Sequence, residues 1–229
     1  QHIVQLLKLL FPGLFDILPM YLVILGMIPL VMAAHRHGGA WAVAGLVLSV
    51  WLLASLAGHP RVMQGGTPWL GAAGMALAER LDFFNLPALP GGDAVWFFNP
   101  FAWQLIFFTG FAFGMRWLPV PPVTARLVWL SAALLLLSLP LAWFRLYQPG
   151  YLPEGSILQA AFSAGREAIE PLITKTWFGA FRYLHFLALA YLAWIAVGSG
   201  GSRLSRPIDR EPVGSATRRL AVVLALPVA

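Results

Sequence analysis

Five uninterrupted apolar runs, each near the length of a membrane crossing, constrain this chain more than anything else in it. They cover about residues 16–34, 40–57, 100–118, 126–146 and 181–197. A helix rises 1.5 Å per residue, so about 20 apolar residues cross the ~30 Å hydrocarbon layer of a bilayer. Composition says which solvent these runs meet. Hydrophobic residues make up 59% of the 229 and charged residues only 10%, against roughly 25% charged in an average soluble domain. So few charges cannot cover a water-exposed surface, and lipid is the solvent that remains.

Inside lipid, backbone polar groups must be paired within the protein, which leaves helices and closed barrels. Continuous apolar runs lack the alternation of a barrel strand. The sequence therefore predicts an all-α fold: a polytopic transmembrane helical bundle of about five spanning helices, forming one membrane domain over residues 1–229. Pro29 and Pro140 fall inside spans, where a bundle tolerates the kink. Cysteine is absent, which excludes disulfides, a thiol nucleophile and thiolate metal sites. The net charge of +6 reads as the positive-inside bias of a membrane protein, and no nucleic-acid partner is expected.

Orientation follows from where the basic residues fall. Arg36, Arg116, Arg126, Arg203, Arg206, Arg210, Arg218 and Arg219 share one side with only Asp209 and Glu211. The other side carries seven basic and seven acidic residues. The first side is predicted to be cytoplasmic, so 198–229 forms a basic cytoplasmic segment with an incomplete apolar end. The long loops 58–99 and 147–180 then face outward. Each holds a further helical pattern: 69–84 as an interfacial helix, and 156–170 with Ile157, Ala161, Phe162 and Ile169 near helical spacing. Both chain ends read as cuts, without a starting Met or a signal peptide.

No phosphate loop, zinc-protease helix or nucleophile elbow is present, and His35–Arg36–His37 is too poor in ligands for a metal site. No metal and no bound cofactor are expected. What stands out is polar groups placed where lipid penalises them. Asp16, Asn99, Gln104, Arg145, Arg182 and His185 all fall at the outward ends of four spans. If those helices are neighbours, the six residues form a polar pocket open to the outside, and they are the candidate substrate-binding residues. Each has a plainer reading. Asp16 and Asn99 suit helix N-termini, with Pro100 at the first helical position. Gln104 suits an interhelical hydrogen bond, and Arg145 suits snorkelling. His185, one turn from Arg182 on the same helix face, either bonds a neighbouring helix or serves as base, acid or donor.

The stretches WFFNPFAWQLIFFTGFAFG (96–114), FDILPMYLVILGMIPL (15–30) and KTWFGAFRYLHFLALAYL (175–192) resemble the OpgC family over about residues 5–197. Members are multi-pass inner-membrane acyltransferases, similar to the wider acyltransferase-3 group. The resemblance implies succinyl transfer from cytoplasmic succinyl-CoA to hydroxyls of osmoregulated periplasmic glucans in Gram-negative bacteria. It also implies a catalytic base in an N-terminal DxxRG-like stretch followed by a His, which nothing before Phe15 matches. On that ground the catalytic residue stays unassigned, His185 included. The chain is then expected to be an incomplete acyltransferase, without transfer activity alone. After Val197 the sequence departs from the resemblance. Membrane lipid and the glucan acceptor are the expected partners, and the oligomeric state stays open. A transporter-like subunit and a non-catalytic membrane protein are the alternatives; the lack of an internal repeat counts against the former.

Overall fold

Proline and glycine decide where the helices of this chain begin and break. The computed structural model describes residues 14–62, 71–87, 95–142 and 151–198. Helix α1 covers Leu14–Gly26 and α2 covers Ile28–Val62. Between them, Met27 N–H donates to the Val23 carbonyl and Val31 N–H donates to the Met27 carbonyl, so the axis runs on across the joint. The break that matters comes later, inside α2. Gly38 (φ −147°, ψ 19°) and Gly39 (φ 63°, ψ −156°) leave helical geometry. Gly39 sits in the left-handed region that a Cβ disfavours. The chain thus reverses where the sequence places a loop between its first two spans.

Helix α3 (Ala72–Arg80) and a 3-10 turn (Asp82–Phe84) follow. They lie against α2, and Ala78 is fully buried. The 69–84 segment expected to lie free in the interface therefore covers protein on one side; residues 69 and 70 lie outside the described residues. Helix α4 (Pro100–Gly114) starts at Asn99 and ends at Met115–Arg116, where Arg116 takes φ 59°. Helix α5 covers Ala125–Ala142, α6 covers Ile157–Ala168, α7 is a single turn, Glu170–Ile173, and α8 covers Ala180–Val197. The described residues form no strand; an isolated bridge pairs Pro87 with Val95.

Helix directions follow from which ends meet. Gln104 reaches Val47, while Trp177, just before α8, reaches Ser55 and Asn85. The second half of α2 therefore runs antiparallel to α4. Asn99 bonds Thr176, and Thr109 bonds Tyr183 ten residues further along α4, so α4 and α8 run parallel. Ser138 meets His185 at one end of the α5–α8 pair and Pro122 meets Tyr191 at the other, so these two are antiparallel. Both long connections fall at one end of the bundle. The Gly38–Gly39 reversal and the His35–Trp117 stack, with ring centroids 3.9 Å apart, fall at the other.

The interior holds two apolar clusters. Ile24, Val31, Val47 and Phe108 centre one between α1, α2 and α4. Ala54, Ala102, Trp177 and Phe178 centre the second, nearer the end with the long connections. Outward faces are also apolar: Leu22 is 71% exposed, Leu137 76% and Trp41 88%. Water does not tolerate such continuous faces, and lipid does.

Among the described residues, two helical stretches are long and apolar enough to cross a membrane: Ile17–Pro60 and Ala180–Val197. Only 17% and 6% of an apolar 18-residue segment in each are buried, whereas a core helix of a soluble protein is mostly covered. Five such helices were expected from the sequence, and the difference has physical causes. The first two spans form one helical stretch with a reversal inside it. Pro100–Gly114 and Ala125–Pro140 are apolar but shorter, because the Gly114–Arg116 turn ends α4 after 15 residues, about 22 Å of rise.

Candidate functional site

Of the six residues expected to meet in one pocket, the four whose side chains the structure describes fall in three places, and only Arg182 and His185 share one. The first is a closed polar knot at the end of the second cluster. Asn99 caps α4: its Oδ1 accepts from Phe101 N–H at 3.0 Å and Ala102 N–H at 3.3 Å. Pro100 occupies the first helical position, where a missing N–H costs nothing. The Asn99 Nδ2 donates to the Phe84 carbonyl at 2.8 Å, and its N–H to the Thr176 carbonyl. The capping role is complete, and Asn99 is 3% exposed.

Around it sit residues the sequence did not single out. Asn85 donates from Nδ2 to the Ala57 carbonyl and to Asp82 Oδ1, and its Oδ1 accepts from Trp177 Nε1 at 2.7 Å. Trp51 Nε1 donates to the Phe178 carbonyl, and Trp103 Nε1 to the Lys175 carbonyl. The Trp177 ring lies so close to Gly58 that a Cβ there would overlap it. Gly179 lies equally close to the Leu172 backbone. Phe178, between them, takes φ 47°, a region disfavoured by about 1–2 kcal/mol for a non-glycine residue. The three indole donors and two amides hold the 174–179 turn in this conformation.

Gln104 belongs to the bundle interior. It is 0% exposed, and its Nε2 donates to the Val47 carbonyl at 2.8 Å, while Oε1 has no partner among the described residues. This is the interhelical bond expected as its plainer reading, and it points toward α2, away from α5. The side chain of Asp16, in α1, and all of Arg145 lie outside the described residues.

Arg182 and His185 make the third place. They are three residues apart on α8, so one face carries both. Tyr183, about 200° around the helix from His185, turns the other way to meet Thr109 Oγ1 at 2.8 Å. The Arg182/His185 face looks into a cavity of about 290 Å³ between α5, α6, α7 and α8. Leu134, Leu137, Ile173 and Phe181 form apolar walls, and Ser138, Arg166, Arg182 and His185 supply the polar groups. The Arg182 Nη2 donates to the Ile173 carbonyl at 2.8 Å and Nε to the Thr174 carbonyl at 3.3 Å. Those carbonyls lie at the end of α7, and Thr174 also accepts from Gly179 N–H, so the guanidinium caps that turn while facing the cavity. Arg166 pairs with Glu170 at 3.7 Å, one turn apart. His185 Nδ1 lies 2.8 Å from Ser138 Oγ.

The groove collects more cationic than anionic charge and keeps one wall open. It suits a small polar ligand that presents oxygen atoms to guanidinium groups and carbon to leucine. Ser138 carries no local signal in LLLLSLPLA; its partner is 47 positions away, and only the antiparallel pairing of α5 and α8 brings them together.

The OpgC protein family matches residues 1–222. The chain belongs to that family. Its membership identifies it as an OpgC-type acyltransferase in general terms, and together with the two long apolar helices it marks a membrane protein. The match also reaches beyond the 5–197 of the sequence resemblance. The stretch after Val197, read as a departure, lies largely within the family, and the match begins at residue 1. No curated protein and no solved structure matches the chain.

Proposed function

We propose that this protein moves a succinyl group from succinyl-CoA to hydroxyls of a periplasmic glucan, across the inner membrane of a Gram-negative bacterium. The family match over residues 1–222 carries this reading. In the reaction a deprotonated sugar hydroxyl attacks the thioester carbonyl, the C–O bond forms as the C–S bond breaks, and donors stabilise the oxyanion. The groove beside Arg182 and His185 is where the acceptor meets the protein on this reading. It lies at the end of the bundle with the long connections, which the charge bias assigns to the periplasm.

The same reading keeps five crossings: α1 with the start of α2, the rest of α2, α4, α5 and α8. The alternation of helix ends supports it. So do Trp41 and Trp129, 88% and 74% exposed, one turn inside the opposite end, where interfacial tryptophans sit. Because the native chain has no cysteine, Ser205→Cys gives a clean topological probe. Resistance to an impermeant thiol reagent added outside intact cells is expected; labelling would overturn the orientation. The activity is tested in a strain without glucan succinylation, by expressing the protein alone and joined to the N-terminal stretch with its His that the family resemblance implies, and weighing the glucans by mass spectrometry. Succinyl esters are expected from the joined form and none from the chain alone; their absence from the joined form, with the folded protein present in the membrane, contradicts the reading.

A further inference from the structure

Two short contacts at Ser138 decide where the hydrogens lie. Ser138 Oγ is 2.8 Å from the Leu135 carbonyl and 2.8 Å from His185 Nδ1. A serine hydroxyl has one hydrogen, and a carbonyl oxygen only accepts. The hydroxyl therefore donates to Leu135, and both bonds form only when His185 Nδ1 carries a hydrogen and donates to Ser138. In the neutral ring this leaves Nε2 without a hydrogen, as an acceptor.

That acceptor belongs to a side chain lining the groove beside Arg166 and Arg182. Arg182 has five N–H groups, and the Ile173 and Thr174 carbonyls take one each from Nη2 and Nε. No described residue takes the Nη1 hydrogens. The groove thus offers donors from one side and an acceptor from the other. A fully ionised phosphate or carboxylate has no hydrogen for Nε2 and leaves that lone pair unmet. A sugar hydroxyl donates and accepts at once, so neighbouring hydroxyls of one ring satisfy both. The leucine, isoleucine and phenylalanine walls suit the carbon face of such a ring, and about 290 Å³ holds one sugar unit or two.

We infer that the groove between α5 and α8 is a saccharide-hydroxyl subsite, in which His185 Nε2 accepts the hydrogen of a sugar hydroxyl, Arg182 donates to a neighbouring oxygen, and Ser138 is the positioning residue that fixes the ring. The inference rests on the acyl-acceptor reading above and names the residues that hold the acceptor. It assigns no proton transfer to His185.

The test uses the detergent-solubilised protein with ¹⁵N-labelled histidine and a linear glucose oligosaccharide as probe, beside inorganic sulfate, an oxyanion fully ionised near neutral pH. The His185 signals, identified by their loss in His185→Gln, are expected to show a hydrogen on Nδ1 and none on Nε2. The oligosaccharide is expected to shift the Nε2 signal, and sulfate is not. His185→Ala is expected to weaken oligosaccharide binding at least tenfold. His185→Gln, whose Oε1 restores an acceptor, brings it back to within about threefold of the original, whereas His185→Lys, a donor only, does not. Ser138→Ala weakens binding severalfold and Ser138→Thr restores it. A hydrogen on Nε2, a stronger response to sulfate than to sugar, or a Gln variant as weak as the Ala variant overturns the inference. Oligosaccharide binding of this pattern in a protein whose joined form acylates nothing removes the acyltransferase reading alone. Succinylation by the joined form that proceeds at the original rate in His185→Ala and Arg182→Ala removes this inference alone.

Discussion

The knot around Asn85, Asn99 and Trp177 and the groove around Arg182 and His185 lie at the same end of the bundle and are built from similar polar groups, yet they finish differently. In the knot the polar atoms described above close on one another. The Asn99 oxygen caps α4, its nitrogen meets Phe84, and the Asn85 amide joins Ala57, Asp82 and Trp177. Such a network fixes the backbone and leaves nothing for a ligand. In the groove Arg182 and His185 are each held by one part of the side chain while they line the cavity. Arg182 is anchored through Nε and Nη2, and His185 through Nδ1. Half-committed groups are positioned without being consumed, which is what a binding site needs. Polarity at a helix end thus has two outcomes, and counting hydrogen-bond valences separates them.

Breaking the knot should cost stability, with the largest effect at its centre. Trp177→Ala removes a ring 7% exposed together with its bond to Asn85, and a loss of about 3–5 kcal/mol is expected. A greatly reduced yield of folded protein on size-exclusion chromatography in detergent checks this. Gly179→Val puts side-chain carbon into the Leu172 backbone and should cost about 1–3 kcal/mol or more, read as a lower midpoint of thermal unfolding. Asn85→Ala leaves the Trp177 indole N–H and the Ala57 carbonyl without this partner; about 1–3 kcal/mol is expected from the same melting curve. A melting curve unchanged by all three substitutions would dissolve the distinction between knot and groove.

The smallest stability effect is expected at Gln104. Its Oε1 is buried with no partner among the described residues, and its Nε2 bonds a carbonyl within α2. Gln104→Leu removes an unsatisfied acceptor and one bond together, so the change should stay within about 1 kcal/mol of zero. A loss of several kcal/mol would show that the amide holds α2 and α4 together after all.

The sequence carries the local parts of this arrangement and loses the distant ones. Asn99–Pro100 announces the start of α4, because a cap is set by neighbours in the chain, and the gap between the runs 16–34 and 40–57 announces a break that the structure places at Gly38–Gly39. Phe181–Val197 reads as a helix and is one. The single outward pocket was not legible, because helix rotation decides it: Gln104 turns to α2 while His185 turns to α5. Asn85, Ser138 and Trp177 carried no signal either. An asparagine in a loop, a serine among leucines and one tryptophan of ten gain meaning only from partners 92 and 47 residues away. The length of α4 was also overestimated, since an apolar run continues past the turn that ends the helix.

Acyl transfer per folded protein, measured side by side for Arg182→Ala and Asn85→Ala in the form joined to the N-terminal stretch, tests the central claim most directly. Succinyl esters on the glucans are counted by mass spectrometry and divided by the folded protein recovered from the membrane. Arg182→Ala is expected to lower that ratio at least about tenfold, or ~1.4 kcal/mol of transition-state stabilisation. Asn85→Ala is expected to lower the amount of folded protein and leave the ratio within about twofold of the original, as a purely structural residue should. A ratio unchanged in Arg182→Ala, or one that falls as far in Asn85→Ala, would contradict the assignment of function to the groove.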